Sequence, residues 1–394
     1  MAKKVANVKF PLFLHASGNW AKKIRSRTRY FGKNQDAALE EYVRTRDDLE
    51  AGRVPRPKSD DALTVADLCN SFLTSKRQRM EAGELSAEMW SVYHKACEGL
   101  VDQFGRDRSV MDLRPSDFGK LRNKFTKRLG PFAVAKSIQV VKTVFTYAFK
   151  SELIQVPIRY GDQFDKPPRR VMRLERSKRG EKLIEPADAW KLIDAALPQL
   201  RAMILLGLNC GYGQSDCSNL QRDALTVKPG WLNAPRQKTG VGRRCKLWPE
   251  TIAALDAVNA DRPEPKDAAD ADCVFVTYKG YRWVKFRDRG LEMAGTRNDS
   301  AGQEFTKLAR RCKVKLAGGM YILRHTFRTV ADELNDRVAV DCIMGHADDS
   351  MGATYREKVA DERLERVSNH VREWLLKGRP ASADVPNVLK FKAS

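Results

Sequence analysis

Near the start of the chain, hydrophobic and polar positions alternate. In the stretch VKFPLFLH, Val8, Phe10, Leu12 and Leu14 fall on one face. A Ser-Gly-Asn turn follows, and WAKKIRSRTRYFG alternates again. This period of two predicts a small twisted sheet of two or three strands. The period then lengthens. Ala38, Tyr42, Thr45 and Leu49 recur at helical spacing, with a stop expected at Gly52 and a proline-bearing linker, RVPRPKSDD, beyond it.

Residues 63–157 keep the helical period. Leu63, Val65, Leu68, Phe72 and Leu73 mark one helix. A second, SAEMWSVYHKACEGLVDQFG, has Ser86 as its cap and Gly105 at its end. RPSDFGKLRNKFTKRLG and the long PFAVAKSIQVVKTVFTYAFKSELI make a third and a fourth. Four helices over about a hundred residues are a reasonable domain. The pattern beyond residue 184 is mixed. EPADAWKLIDAA and LRAMILLGLNC are helical, and LTVKPGWLNAPRQKTGVGRRCKLWP alternates as a small antiparallel sheet. Helices are expected from Thr251 onward, ending in an amphipathic helix within VADERLERVSNHVREWLLKG. The fold class expected is α+β, mostly helical. The expected domains are a β-rich unit with one helix at 1–57, a helical unit at 63–160, a basic linker at 166–182 and a mixed unit at 183–378. The tail at 379–394 has few anchors and reads as flexible.

Charge narrows the choice of partner. The 394 residues hold 72 Lys and Arg against 50 Asp and Glu, a net charge of +22. Such an excess predicts a polyanion, with double-stranded DNA the leading candidate over a membrane surface. No apolar run reaches spanning length and no signal-like pattern opens the chain, so a cytoplasmic protein without a membrane partner is expected. The linker at 166–182 carries eight Lys and Arg, Arg169, Arg170 and Arg173 among them. It reads either as a solvated tether or as a strap on a phosphate backbone, and the overall charge favours the strap. Lys22, Lys23, Arg25, Arg27 and Arg29 interleave with Trp20 and Tyr30, a pattern suited to a β-ribbon on DNA as much as to an ordinary basic face. The eight cysteines form no CxxC pair and the five histidines do not cluster near them, so no metal is expected and reduced core cysteines are the simplest reading.

One set of residues suggests chemistry. Arg324 and Arg328 share a helix face in YILRHTFRTVADELN, an arrangement that either turns one of them to solvent or to Asp332 or favours an anion between them. IMGH follows, and Tyr355 stands nine positions after His346. Alone, a histidine is more often structural and a tyrosine more often packing. Together, arginine, histidine and tyrosine suit metal-free attack on a phosphodiester. Cations stabilise the charge on the phosphate oxygens, the tyrosine hydroxyl is the nucleophile, and a lysine or histidine protonates the departing oxygen.

LRHTF, then IMGH, then a tyrosine nine residues on resembles the tyrosine recombinase (phage integrase) family over the chain's whole plan. The resemblance implies an arm-type DNA-binding domain, a core-binding domain and a catalytic domain at the boundaries given above. It implies a cytoplasmic bacterial or phage enzyme that cuts and rejoins DNA through a 3′-phosphotyrosine, for integration or excision of mobile DNA. The expected assembly is a monomer in solution and a tetramer on DNA, with accessory proteins left open, and no cofactor is implied. By the same resemblance Arg324 is the second arginine, His346 the late histidine, Tyr355 the nucleophile and Lys238 the general acid. Arg243, Arg244 and Lys246 are fallbacks for the lysine, and Arg243 also joins the expected DNA contacts.

Two positions depart from the family's pattern. CGYGQSDCSNL places Gly213 where the first arginine stands, with Asp216 and Leu220 in register. Tyr321 takes a place usually held by histidine, where it can donate a hydrogen bond but carries no charge near neutral pH. Loss of such an arginine costs on the order of 10²–10³ in rate. Arg328, one turn from Arg324, is the expected substitute, with Gln214 a weaker one. The rival readings are a catalytically impaired DNA-binding regulator derived from an integrase, and a relaxing enzyme of the type IB topoisomerase kind.

Overall fold

The computed structural model describes residues 10–52, 55, 62–287, 295–348 and 350–379, apart from the side chains of residues 353 and 354. These form two compact units whose segments alternate along the chain. One takes the chain up to Phe72, then Gly99–Asn123 and Val141–Phe164; the other takes Leu73–Glu98, Lys124–Val140 and the chain from Asp165 on.

The first unit opens with a three-stranded antiparallel sheet, β1 (Phe13–Leu14), β2 (Trp20–Ile24) and β3 (Arg27–Tyr30), paired in chain order. Arg25 and Ser26 join β2 to β3 with φ of 49° and 65°, the left-handed pair that lets a two-residue turn follow the strand twist. Helix α1 (Gln35–Glu50) starts at Asn34, whose side-chain oxygen accepts from the amides of Asp36 and Ala37. It buries Ala38, Tyr42, Thr45 and Leu49, and all but Thr45 pack with Leu12 and Ile24 of the sheet region. The first strand is shorter than the alternation suggests: Leu14 is exposed, and Val8 lies outside the described residues. Four helices follow, α2 (Val65–Glu81), α3 (Ala87–Phe104), α4 (Pro115–Arg128) and α5 (Pro131–Lys150). Within the first unit the ring of Phe118 meets those of Phe104, Phe145, Tyr160 and Phe164 at 5.0–5.4 Å.

The basic segment at 166–182 is not simply a tether, since it contains helix α6 (Arg169–Lys178). That helix buries none of its residues, and Arg169, Arg170 and Arg173 are all exposed. Beyond it come α7 (Pro186–Ala195), α8 (Pro198–Cys210) and the short α9 (Gln214–Ser218). The hairpin of β4 (Trp231–Pro235) and β5 (Gly242–Lys246) follows, then α10 (Pro249–Ala260). Val284–Arg287 and Thr296–Asp299 form β6 and β7, an antiparallel pair. Only helices were expected there. Four-residue strands, β6 half-buried and β7 mostly exposed, are too short for a period of two to stand out from the helices around them. Helices α11 (Ser300–Arg311), α12 (Ile322–Ala331), α13 (Arg337–Met344), α14 (Met351–Thr354) and α15 (Asp361–Leu376) complete the described chain.

Helix α8 is the axis of this unit. Every residue from Ala202 to Cys210 is buried, which is why its sequence is apolar on all sides rather than amphipathic. Helices α10, α12 and α15 pack on it. Asn209 is its buried polar residue. Its amide donates to the Lys246 carbonyl at 2.9 Å and to Ser368 Oγ at 3.0 Å, while its oxygen accepts from the Trp248 amide. One side chain thereby joins α8, β5 and α15 with its hydrogen-bonding groups satisfied.

Candidate active site

Helix α12 carries Arg324 into the interior, where it is 2% exposed. Its guanidinium donates to the Gly211 carbonyl at 2.5 Å and the Met344 carbonyl at 3.0 Å. Both acceptors are exposed by helix ends, since Gly211 and Gly345 close α8 and α13 with left-handed φ of 62° and 64°. Arg324 Nη2 also meets His346 Nε2 at 2.9 Å, and His346 Nδ1 meets Asp341 Oδ1 at 3.0 Å. A guanidinium can only donate, so Nε2 accepts and the imidazole proton is assigned to Nδ1, facing the carboxylate. The electrostatics agree. Burial, and the Arg324 charge after it, pull the His346 pKa below the ordinary histidine value against the opposing pull of Asp341, so the ring is neutral near pH 7.

Arg328 faces two carboxylates. Its Nε donates to Asp332 at 2.7 Å and its Nη1 to Asp341. It therefore braces the aspartate behind His346. With its charge matched in this way, the geometry does not favour it as the substitute for an arginine at position 213. Gln214 is likewise engaged, donating to Asp299 Oδ2 at 3.0 Å.

Gly213 caps α9, and Asp216 organises its surroundings. One Asp216 oxygen accepts from the Gly213 amide at 2.9 Å, and the other accepts from Arg243 Nη1 at 3.1 Å. Arg243 comes from β5, is 4% exposed, and lies 4.0 Å above the ring of Tyr212. It is thus a buried structural cation rather than an exposed DNA contact. Tyr321 lies directly over the glycine: a Cβ at position 213 would stand 3.1 Å from its ring. The two departures from the expected pattern are neighbours in space.

Lys238 sits exposed in the β4–β5 turn. Next to it, Thr239 Oγ1 donates to the Gly345 carbonyl at 3.0 Å, tying the turn to the residue before His346. The fallback cations lead elsewhere. Arg244 pairs with Asp361 at the start of α15, and Lys246 Nζ lies 5.6 Å from the Trp231 ring centroid. A cleft of about 1120 Å³ is bordered by Gly213, Asp216, Arg236, Lys238, Arg243 and Tyr321. Arg236 was missed in the sequence; only its place at the edge of a strand–turn–strand with basic neighbours could have marked it. Tyr355 follows α14 and is 77% exposed, and among the described residues it makes no hydrogen bond to the Arg324–His346 pair. An ion pair of Arg356 with Asp348 at 3.5 Å brackets the segment between His346 and Tyr355. Among the described residues no group of three or more His, Cys, Asp or Glu side chains is placed to hold a metal, and no helix is long and apolar enough to cross a membrane.

At the other end of the chain, Lys23, Arg25, Arg27 and Arg29 are exposed on the N-terminal sheet, and Lys22 is half-buried over the ring of Tyr42 at 4.9 Å. Lys22 and Arg29 stand directly opposite each other across β2 and β3.

Comparison with known proteins places this architecture. No family model and no curated protein sequence matches the chain. Solved structures do. A lambda integrase tetramer bound to a Holliday junction is similar over 89% of this chain and 97% of that one, with a TM-score of 0.55 at 13% identity. A lambda integrase dimer bound to a COC′ core site covers 91% and 99%, with a TM-score of 0.54 at 13% identity. The Tn1549 transposon integrase (residues 82–397) in complex with circular intermediate DNA covers 76% and 97%, with a TM-score of 0.52 at 14% identity. The chain has the tyrosine recombinase fold, mostly helical with small antiparallel sheets. At such identities the likeness is one of fold.

Proposed function

We propose that the protein is a site-specific DNA recombinase of the tyrosine type, acting in integration or excision of mobile DNA. The observation that carries this reading is the 2.9 Å contact between Arg324 of α12 and His346 on the loop that leads to Tyr355, within a tyrosine recombinase fold. In the proposed reaction the Tyr355 hydroxyl attacks a DNA phosphate. The Tyr355 hydroxyl gives its proton to solvent as a phosphotyrosyl bond forms at the 3′ end, the bond to the 5′ oxygen breaks, and Lys238 supplies the proton that oxygen takes up. The phosphodiester energy is kept in the new ester, so rejoining draws on no ATP. Arg324 balances charge on the phosphate oxygens, neutral His346 orients it, and the Tyr321 hydroxyl donates to the same phosphate. Residues 1–57 serve as the arm-type domain with Lys22, Lys23, Arg25, Arg27 and Arg29 toward DNA. Residues 63–160 are the core-binding domain and residues 183–378 the catalytic one, with the basic helix between them lying along the backbone. The working form is a tetramer on two duplexes, as the lambda integrase tetramer is on its junction.

A nicked duplex that loses its 5′ fragment on cleavage tests this reading. A covalent protein–DNA adduct resistant to SDS is expected from the unaltered protein and none from Tyr355→Phe. A second reading, a DNA-binding regulator that no longer cuts, is favoured by Gly213 alone. Tight duplex binding with no adduct on any attachment-site DNA would establish it instead.

A further inference from the structure

Gly213 leaves the start of α9 without a cation, and the β4–β5 hairpin surrounds that place with two. Arg236 follows β4 and Arg243 lies in β5. Both press on the backbone of Gly345: a Cβ there would stand 2.9 Å from Arg236 Cβ and 2.7 Å from Arg243 Cδ. Their guanidinium groups are in different situations. Arg243 is matched by Asp216 and stacked on Tyr212, although its Nε, like that of Arg236, is enclosed without a partner. Arg236 is half-buried, its Nε is enclosed without a partner, and no carboxylate pairs with it among the described residues. Its charge bears on the reaction centre. After burial, it is the largest influence lowering the pKa of Arg324, and it also pulls down that of His346.

Three guanidinium groups therefore gather around Gly211, Gly213 and Gly345, and Asp216 is the carboxylate that answers one of them. Holding an unmatched arginine beside two others costs free energy in the empty protein. An anion entering the cleft that Arg236 borders removes that cost. A phosphate oxygen fits best, because a guanidinium offers it paired, directed donors and keeps its charge at any working pH.

We propose that Arg236 supplies the phosphate contact that position 213 no longer makes, touching a non-bridging oxygen of the scissile phosphate, while Arg243 is a positioning residue that holds the hairpin against Asp216. This rests on the recombinase reading above. It replaces a cation rooted in a helix start with one rooted in a turn, and it keeps Asp216 as the anchor of both arrangements.

The test compares two nicked substrates, one with a normal scissile phosphate and one with a methylphosphonate there, whose ester is neutral. Adduct formation by Arg236→Ala should fall by ~10²–10³ on the normal phosphate. On the methylphosphonate the loss should be much smaller, because the charge that Arg236 answers is gone. Arg236→Lys should retain part of the rate on the phosphate, and it reports on the side chain where the alanine variant fails to fold. Wild-type rates in both variants overturn the inference. So does an equal fractional loss on both substrates, which a merely structural role would produce. An unaltered protein that gives no adduct on either substrate overturns the recombinase reading, and this one with it.

Discussion

Gly213 and Tyr321 behave as one unit because the ring of the tyrosine lies within 3.2 Å of where a Cβ at 213 would be. Restoring arginine at 213 therefore displaces the ring. Thermal melts of Gly213→Arg, Tyr321→His and the double variant should show coupling. The arginine should cost less in the histidine background, by about 0.5–3 kcal/mol. Additive melts would separate the two positions. Single residues were unevenly legible in the sequence. Arg324 and His346 could be found because their spacing to Tyr355 is short and specific, and the fold does bring the first two into contact. For Arg328 the sequence offered both a phosphate and the carboxylate of Asp332; the fold supplies Asp332 and adds Asp341 from α13, which a helix face cannot show. Arg236 had only its place beside the basic turn to mark it, because the lack of a carboxylate partner among the described residues leaves no trace in a linear sequence.

Helix α15 is held in its own unit by apolar burial of Leu364, Val367, Val371 and Leu375 and by carboxylates at both ends. Asp336 accepts from Arg363 at 2.5 and 2.9 Å, and Glu250 accepts from Arg372 at 2.8 and 3.0 Å. Arg363 holds the Asp336 carboxyl below its usual range, and Arg372 does the same for Glu250. Depressed carboxylate pKa values contribute stability that is fully present above the unfolded range, about pH 4, and is lost as the pH falls through the folded values. Denaturant melts should therefore weaken below about pH 4. The double variant Asp336→Asn, Glu250→Gln should be less stable at neutral pH and lose less on acidification. An unchanged acid slope would remove these pairs from the account. Helices of this length were readable from their period and their caps. Ser86 does accept from the Met89 amide at 3.2 Å, and Gly105 does turn left-handed at φ 93°. The β6–β7 pair was not, because short strands declare themselves through pairing across the sheet, which lies outside any local window.

The net charge of +22 belongs to the molecule as a whole, and part of the basic excess is exposed on the N-terminal sheet and on α6. Duplex binding should weaken with salt, the logarithmic slope steepening by about 0.9 for each phosphate engaged. Arg29→Glu should flatten that slope; an unaltered slope would take the N-terminal sheet out of the interface. The mostly helical plan was legible from the period, and the basic excess that motivates the search for a polyanionic partner from composition. The sequence pattern did not reveal the alternation of two compact units along the chain, which depends on contacts between distant segments. The Lys22–Arg29 pair has one more effect. Like charges set face to face across β2 and β3 repel, so the sheet is less stable alone than it would be with a neutral pair. Heparin or DNA, by answering those charges, should return that loss as a higher melting temperature. Fold stability and recognition then pull in opposite directions at this pair. Arg29→Glu is expected to give a sturdier free protein and, on the recombinase reading proposed above, a poorer ligand for DNA, so that selecting this chain for heat resistance alone would then erode its binding.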